Sequence, residues 1–191
     1  MKEIIKMVVV LTIICLIAGV SLAALKVSTA ETIEKQVLVN VQKPAIDTVL
    51  VGIDNDPIAD RKKFDRADGS KFTVFPGKKG GKLVAVAMEN FGVGFAGDVG
   101  VMVGFDASGD ILTGISMTTM SETPGVGTRV KEKGFTKQFK KHQNAGINLN
   151  NKGGDIAAVS GATFSSTGSV VAVQNAVKDF ESMKDQILAA F

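Results

Sequence analysis

The distribution of apolar and polar positions divides the chain into three parts. Met7 to Leu25 is an uncharged run of 19 residues. At about 1.5 Å per helical residue it reaches across a bilayer core of roughly 30 Å. Lys2 and Lys6 precede the run, so the positive-inside rule puts the N-terminus in the cytoplasm and the rest of the chain across the membrane. Ser21-Leu22-Ala23 resembles a small-x-small cleavage site, which is the rival reading. The run is longer than the usual signal-peptide core, and this favours a retained single-pass anchor. After it, Ser28 or Thr29 can cap a helix that begins near Ala30, with Glu31 and Glu34 in its first turns. Ile33, Val37 and Val41 keep helical spacing until Pro44 ends or kinks it. The charge-rich segment Asp54 to Arg66 reads as a solvated surface excursion.

The middle of the chain changes to strand-length apolar runs. Lys71 to Phe75 is a short strand ended by Pro76-Gly77, and Leu83 to Met88 is a second. Phe91-Gly92-Val93-Gly94-Phe95-Ala96-Gly97 follows, its glycines pointing to close backbone packing or a bulge. Val99 to Phe105 and Ile111 to Met117 flank Asp106-Ala107-Ser108-Gly109-Asp110 as a hairpin.

Two loops rich in glycine and hydroxyl groups come next. In Ser121-Glu122-Thr123-Pro124-Gly125-Val126-Gly127-Thr128, Pro124-Gly125 sets a turn and Gly127 allows a close backbone approach. The loop leads to a predicted helix over Lys131 to Lys141, with Phe135 and Phe139 on one face and His142 at its C-terminal end. The second loop is Val159-Ser160-Gly161-Ala162-Thr163-Phe164-Ser165-Ser166. It precedes an amphipathic helix in which Val170, Val173, Val177, Phe180, Met183 and Ile187 recur at three and four residues, with Ser166 or Thr167 as N-cap. Thr163 thus lies near a helix N-terminus, where backbone N–H groups and the helix dipole favour a phosphate. Taken alone, the turn reads first as an ordinary helix start.

Composition narrows the chemistry. Hydrophobic residues make up 45% and charged ones 21%, which suits a globular domain behind the anchor. A net charge of +3 and the lack of a recognition motif give no basis for nucleic-acid binding. One Cys, within the apolar run, and one His exclude an internal disulfide and argue against a Cys/His metal site or a hydrolytic triad.

Read in order, Glu122-Thr123-Pro124-Gly125-Val126-Gly127 and Ser160-Gly161-Ala162-Thr163, behind a glycine-rich hairpin and an anchor, resemble one family. It is that of the FMN-binding subunits of membrane electron-transport complexes: the G subunit of the Rnf complex and the C subunit of the sodium-translocating NADH:quinone reductase. The short chain fits the Rnf member better. The strand runs in the middle, with helices before and after, read as an α+β protein, with a transmembrane helix (7–25, after a cytoplasmic 1–6), a helical linker and charged surface segment (26–81), and one domain (82–191) that the resemblance makes FMN-binding. That domain has a mostly antiparallel sheet flanked by helices and lies on the extracytoplasmic side. The resemblance further implies FMN bound covalently through a phosphoester to Thr163, by way of a flavin transferase. Ser160, Gly161, Ala162 and Ser166 would surround the attachment. Val126 would pack on the flavin ring where a Leu is usual, with Glu122, Thr123 and Gly125 beside it. Other membrane subunits would be partners in electron relay from ferredoxin to NAD coupled to ion movement, and no catalytic residue or metal is called for. One departure stands out: the family's acidic residue three positions before the Ser is here Ala157, with Asp155 two residues further upstream. The alternatives are an FMN subunit of another respiratory complex and an anchored scaffold domain without cofactor.

Overall fold

A computed structural model describes residues 1–66 and 68–191. The chain divides into two compact units, Met1–Asn40 and Val41–Phe191. The first is helical: α1 runs from Lys2 to Val37 with no buried residue. It is long and apolar enough to cross a membrane. No new helix starts near Ala30. The hydroxyls of Ser28 and Thr29 instead donate back to the Leu25 carbonyl, at 3.0 and 2.8 Å, a bond that lets such residues sit inside a helix rather than cap one. A π-helical segment, Leu38–Gln42, precedes α2, Lys43–Val49. Pro44 lies in the first turn of α2, directly after the π-helical segment, so the helical run widens before the proline and continues past it to Val49.

The second unit is built on one antiparallel meander: β1 (Lys62–Asp65), β2 (Lys71–Lys79), β3 (Lys82–Val93), β4 (Asp98–Asp106) and β5 (Leu112–Met120), in sequential order. A short helix, α3 (Lys133–Thr136), and the long α4 (Thr163–Ala190) follow. The α+β architecture expected from the sequence is present. Residues 26–81 do more than link and cover, however. From Val41 on they belong to the same compact unit as residues 82–191, contributing α2, β1 and β2. The end of the charge-rich segment 54–66 is an edge strand, and its Lys62, Lys63 and Asp65 are charges of the kind that discourage pairing with another chain.

Both faces of the sheet are covered, which is why β4 is buried from Val99 to Phe105 instead of alternating. One face carries Val74, Val86, Met88, Val101, Val103 and Phe105 against Val170, Val173, Val177 and Phe180 of α4. Phe105 and Phe180 stack with centroids 4.7 Å apart. On the other face α2 buries Ala45, Ile46 and Val49, and the Val49 carbonyl accepts the Thr113 hydroxyl at 2.7 Å. Strand β2 continues through Pro76, contrary to the expected stop. The Asn55 amide donates to the Pro76 carbonyl at 3.0 Å and accepts from the Lys78 N–H at 2.7 Å. It thus stands in for the ladder partner that the strand lacks there, beside a register shift at Gly77/Lys78.

The hairpin between β4 and β5 turns at Gly109, whose N–H bonds the Asp106 carbonyl at 2.9 Å. The predicted helix over 131–141 is broken into a 3₁₀ turn at Gly127–Lys131, α3 and a second 3₁₀ turn at Lys137–Phe139. Phe135 and Phe139 are its two buried anchors, and a helix this short has little stability of its own to keep it regular.

The position of α4 on the sheet is fixed by two glycines. A Cβ on Gly92 of β3 would stand 2.1 Å from the Gly168 carbonyl oxygen and 2.8 Å from the Ala172 nitrogen, and one on Gly168 would meet the Val93 carbonyl oxygen at 2.7 Å. These neighbours are backbone and cannot rotate away. Gly92→Ala is expected to destabilise the unit by about 1–3 kcal/mol, the range for overpacking, read as a lowered urea midpoint at unchanged slope.

Candidate functional site

The first turn of α4 is prepared by a tight turn. Ala162 N–H bonds the Val159 carbonyl at 2.9 Å, and Gly161 between them has φ +79°, a conformation open to glycine at little cost. The helix then begins at Thr163, not after it. Ser166 is no N-cap: it is buried inside α4, and its Oγ accepts the Val159 N–H at 3.0 Å, closing the turn. Ala162 occupies the cap position and no side chain caps the helix. The first-turn amides of α4 are thus left to whatever lies in front of them. Thr163 is exposed there as the first helical residue.

Glu122 fixes the opposite wall. It is buried, and its two oxygens bind different parts of the chain. Oε1 accepts the N–H groups of Phe95 and Ala96, at 2.8 and 3.1 Å. Oε2 accepts the hydroxyl of Ser165 at 2.5 Å. Burial pushes its pKa up, but the hydrogen bonds from Ser165, Ala96 and Phe95 outweigh this and hold the carboxyl below its ordinary value. Two glycines make room: a Cβ on Gly94 would lie 2.3 Å from Oε1, and one on Gly127 would lie 2.7 Å from both Oε2 and the Ser165 Oγ. Gly127 was expected to admit a close approach, and what approaches it is this carboxylate. The loop turns as expected, with Gly125 at φ +73° and its N–H on the Thr128 hydroxyl at 2.9 Å.

Between the walls lies a cavity of about 230 Å³, lined by Glu122, Thr123 and Val126 on one side and by Gly161, Ala162 and Thr163 on the other. Six of the nine residues marked from the sequence therefore meet in one place. Ser160, Ser166 and Gly125 do not line it. The Ser160 carbonyl instead accepts from Arg129 Nη1 at 3.2 Å, which brings a cation to the turn. The sequence reading missed Arg129, and it also missed Phe95, Phe164 and Ser165, which line the cavity. A larger cleft of about 820 Å³ near β1 and β2 holds neither motif. Polar groups in it satisfy one another, half-buried Asp179 accepting from Arg66 Nε at 2.7 Å and from buried Asn90 Nδ2 at 2.6 Å.

Asp155 and Ala157 lie upstream of the turn. Asp155 is engaged by His142, whose Nε2 is 2.8 Å from both carboxylate oxygens while Nδ1 bonds the Gln143 carbonyl. The His142 side chain is thus held by an ion pair, while its backbone N–H bonds the carbonyl of Phe139, the last residue of the second 3₁₀ turn, at 3.2 Å. Burial lowers its pKa, but the Gln143 carbonyl and Asp155 raise it further, above the ordinary value. Ala157 is exposed, its backbone gripped at both ends by the Gln138 amide, at 2.7 and 3.1 Å.

Comparison with known proteins fits this geometry. Residues 94–178 match the FMN-binding domain family. The chain is 30% identical over 189 residues to the G subunit of the ion-translocating oxidoreductase complex of Methanosarcina acetivorans, covering 96% of this chain and 97% of that one. It belongs to the family of G subunits of these complexes. Another member, the G subunit of the proton-translocating ferredoxin:NAD(+) oxidoreductase complex of Clostridium ljungdahlii, is 29% identical over 88% of this chain and 86% of its own. The fold is shared with crystalline NqrC of Shewanella oneidensis, at a TM-score of 0.54 and 21% identity over 68% of this chain and 70% of that one. The family resemblance carried by the two loops is therefore confirmed, and both loops lie in the part matched as an FMN-binding domain.

Two of the perturbed groups, Glu122 and His142, set opposite limits on stability. Glu122 titrates below its ordinary 4.5 in the folded protein. Its contribution is complete above that pH and is lost as pH falls through the native value. His142 titrates above its ordinary 6.5, so its contribution is complete below 6.5 and is lost as pH rises through the native value. Urea midpoints measured across pH are expected to fall at both ends. Glu122→Gln should flatten the acid limb and His142→Asn the alkaline one. Glu122→Ala, which leaves buried donors unpaired, should cost about 1–3 kcal/mol at neutral pH.

Proposed function

We propose that this protein carries FMN as a phosphoester on Thr163 and serves as one electron-relay step of an Rnf-like, ion-translocating ferredoxin:NAD oxidoreductase. α1 anchors it in the cytoplasmic membrane with the N-terminus inside and the FMN-binding unit outside. The observation that carries the reading is the setting of Thr163: an exposed hydroxyl on the uncapped first turn of the 28-residue α4, in a cavity shared with the Glu122–Gly127 loop.

The residues present suit the group. The first-turn amides of α4 and the helix dipole stabilise a phosphodiester anion. Arg129 adds positive charge at the turn, and Val126, 47% exposed, offers the ring an apolar face. Bound FMN would supply one- and two-electron redox chemistry, while the protein binds, orients and shields it. In the attachment Thr163 Oγ1 loses its proton as it bonds to phosphorus. The flavin transferase must therefore present FMN as an activated anhydride, whose other half leaves with the displaced oxygen. Covalent attachment suits a site outside the cytoplasm, where free FMN would be lost by dilution. Lys2 and Lys6 ahead of the apolar run support the orientation, and the remaining membrane subunits of such a complex would be its partners.

The test is the intact mass of the full chain co-expressed with a flavin transferase. An increment of one FMN less one water is expected, and it should vanish in Thr163→Ala. Flavin retained covalently by that variant would remove Thr163 from the assignment, and an unmodified parent chain would favour the cofactor-free scaffold. Because Asp155 is held by His142 and position 157 faces solvent, Ala157→Asp should restore the acidic side chain without disturbing the fold. A larger modified fraction at a fixed time, with an unchanged urea midpoint, is the expected result.

A further inference from the structure

Phe95 and Phe164 are 71% and 69% exposed, the most exposed of the 11 Phe side chains. Six others are buried in the core. The two exposed rings come from separate walls of the Thr163 cavity, Phe95 from the loop after β3 and Phe164 from the first turn of α4. They nevertheless meet, with centroids 6.1 Å apart and planes inclined by 53°.

Neither is a mobile surface residue by construction. The Phe95 N–H is bonded to the buried Glu122 carboxylate, in a loop closed by a Gly94 N–H to Gly97 carbonyl bond of 2.8 Å. Phe164 follows Thr163 directly on a helix whose next residues, Ser165 and Ser166, are buried. Two large apolar rings are thus held out in water by rigid supports, against the hydrophobic effect. Such a pair marks a place that something flat and apolar covers.

The size of the cavity says where the covering group lies. About 230 Å³ is below the roughly 300–1,000 Å³ of pockets that enclose a drug-sized ligand, and FMN is a large one. The cavity has room for the phosphate end, beside Thr163. A tricyclic ring joined to that phosphate by a flexible chain must lie at the rim, and the apolar rim is Phe95, Phe164 and Val126. We propose that Phe95 and Phe164 form the aromatic wall on which the isoalloxazine ring packs, outside the cavity that holds its phosphate. Glu122 is the positioning residue that fixes this wall to α4. The inference rests on the reading that Thr163 carries FMN, and it gives roles to residues outside both loop motifs.

The test uses the flavinylated full-length chain in detergent, with intact mass reporting attachment. Flavin fluorescence anisotropy and quenching by iodide report the packing of the ring. Phe95→Ala, remote in sequence from the modified Thr, should keep the mass increment, lower the anisotropy and raise the iodide-accessible population by about two- to tenfold, the effect of losing one aromatic contact. Phe164→Ala should do the same, and Phe95→Leu should fall between parent and Ala. Phe91→Ala, at an exposed ring that does not line the cavity, should match the parent. Parental anisotropy and quenching in a fully loaded Phe95→Ala/Phe164→Ala chain would overturn this inference alone. A parent chain without the mass increment would overturn the Thr163 reading and this inference with it.

Discussion

The contact between Gly92 and Gly168 sets the depth at which α4 lies on the sheet, and the site depends on that depth. With no side chain between them, β3 and α4 meet backbone to backbone. The first turn of α4 begins five residues earlier, so Ser165 is carried down to the level of Glu122 while Thr163 and Phe164 stay at the surface. Glu122 then joins the helix to the loop after β3. Three stretches distant in sequence, 94–97, 121–128 and 159–166, are held together by one carboxylate and the glycines that make space for it. Any residue with a Cβ at 92, 94, 127 or 168 would push against one of these contacts.

What could be read from the sequence follows the reach of each signal. The long apolar helix, the Asp106–Asp110 hairpin and the buried face of α4 were legible because their information is local: an uncharged run, a turn between two strand-length runs, and a repeat of three and four. Ser28 and Ser166 misled for a common reason. A serine hydroxyl caps a helix or bonds within the chain nearby, and only tertiary packing decides which. Pro76 reads as a strand end unless one knows that Asn55, 21 residues earlier, supplies the missing ladder bonds. Strand β1 was hidden by the charges that an edge strand carries on purpose.

The candidate site was half legible. Its two loops announce themselves by glycine and hydroxyl content, and the turn that presents Thr163 follows from Gly161. The partner of Glu122 did not follow, since nothing local relates position 122 to 165 or to the amides of 95 and 96. Phe95 and Phe164 escaped because an exposed aromatic has no periodicity, and in a string of letters it looks like any core Phe. His142 does follow a helix end, but the partner of its side chain, Asp155, lies 13 residues on and was not legible.

The electrostatics leave room for the proposed phosphate at a helix N-terminus that already has a buried carboxylate beneath it. The donors to Glu122 described here are two amides of the 94–97 loop and the Ser165 hydroxyl. None is a backbone N–H of α4. The carboxylate is satisfied from the side, and it stays ionised because those donors outweigh the penalty of burial. The first-turn amides, uncapped by any side chain, keep their capacity for a second anion at the surface, where Thr163 stands and Arg129 adds a cation. Had Glu122 capped α4 through the backbone, as a carboxylate near a helix start commonly does, that anion would have lost its donors. Depth separates the two places: the Glu122 carboxylate lies beneath Ser165, and the proposed phosphate would lie above it, at Thr163.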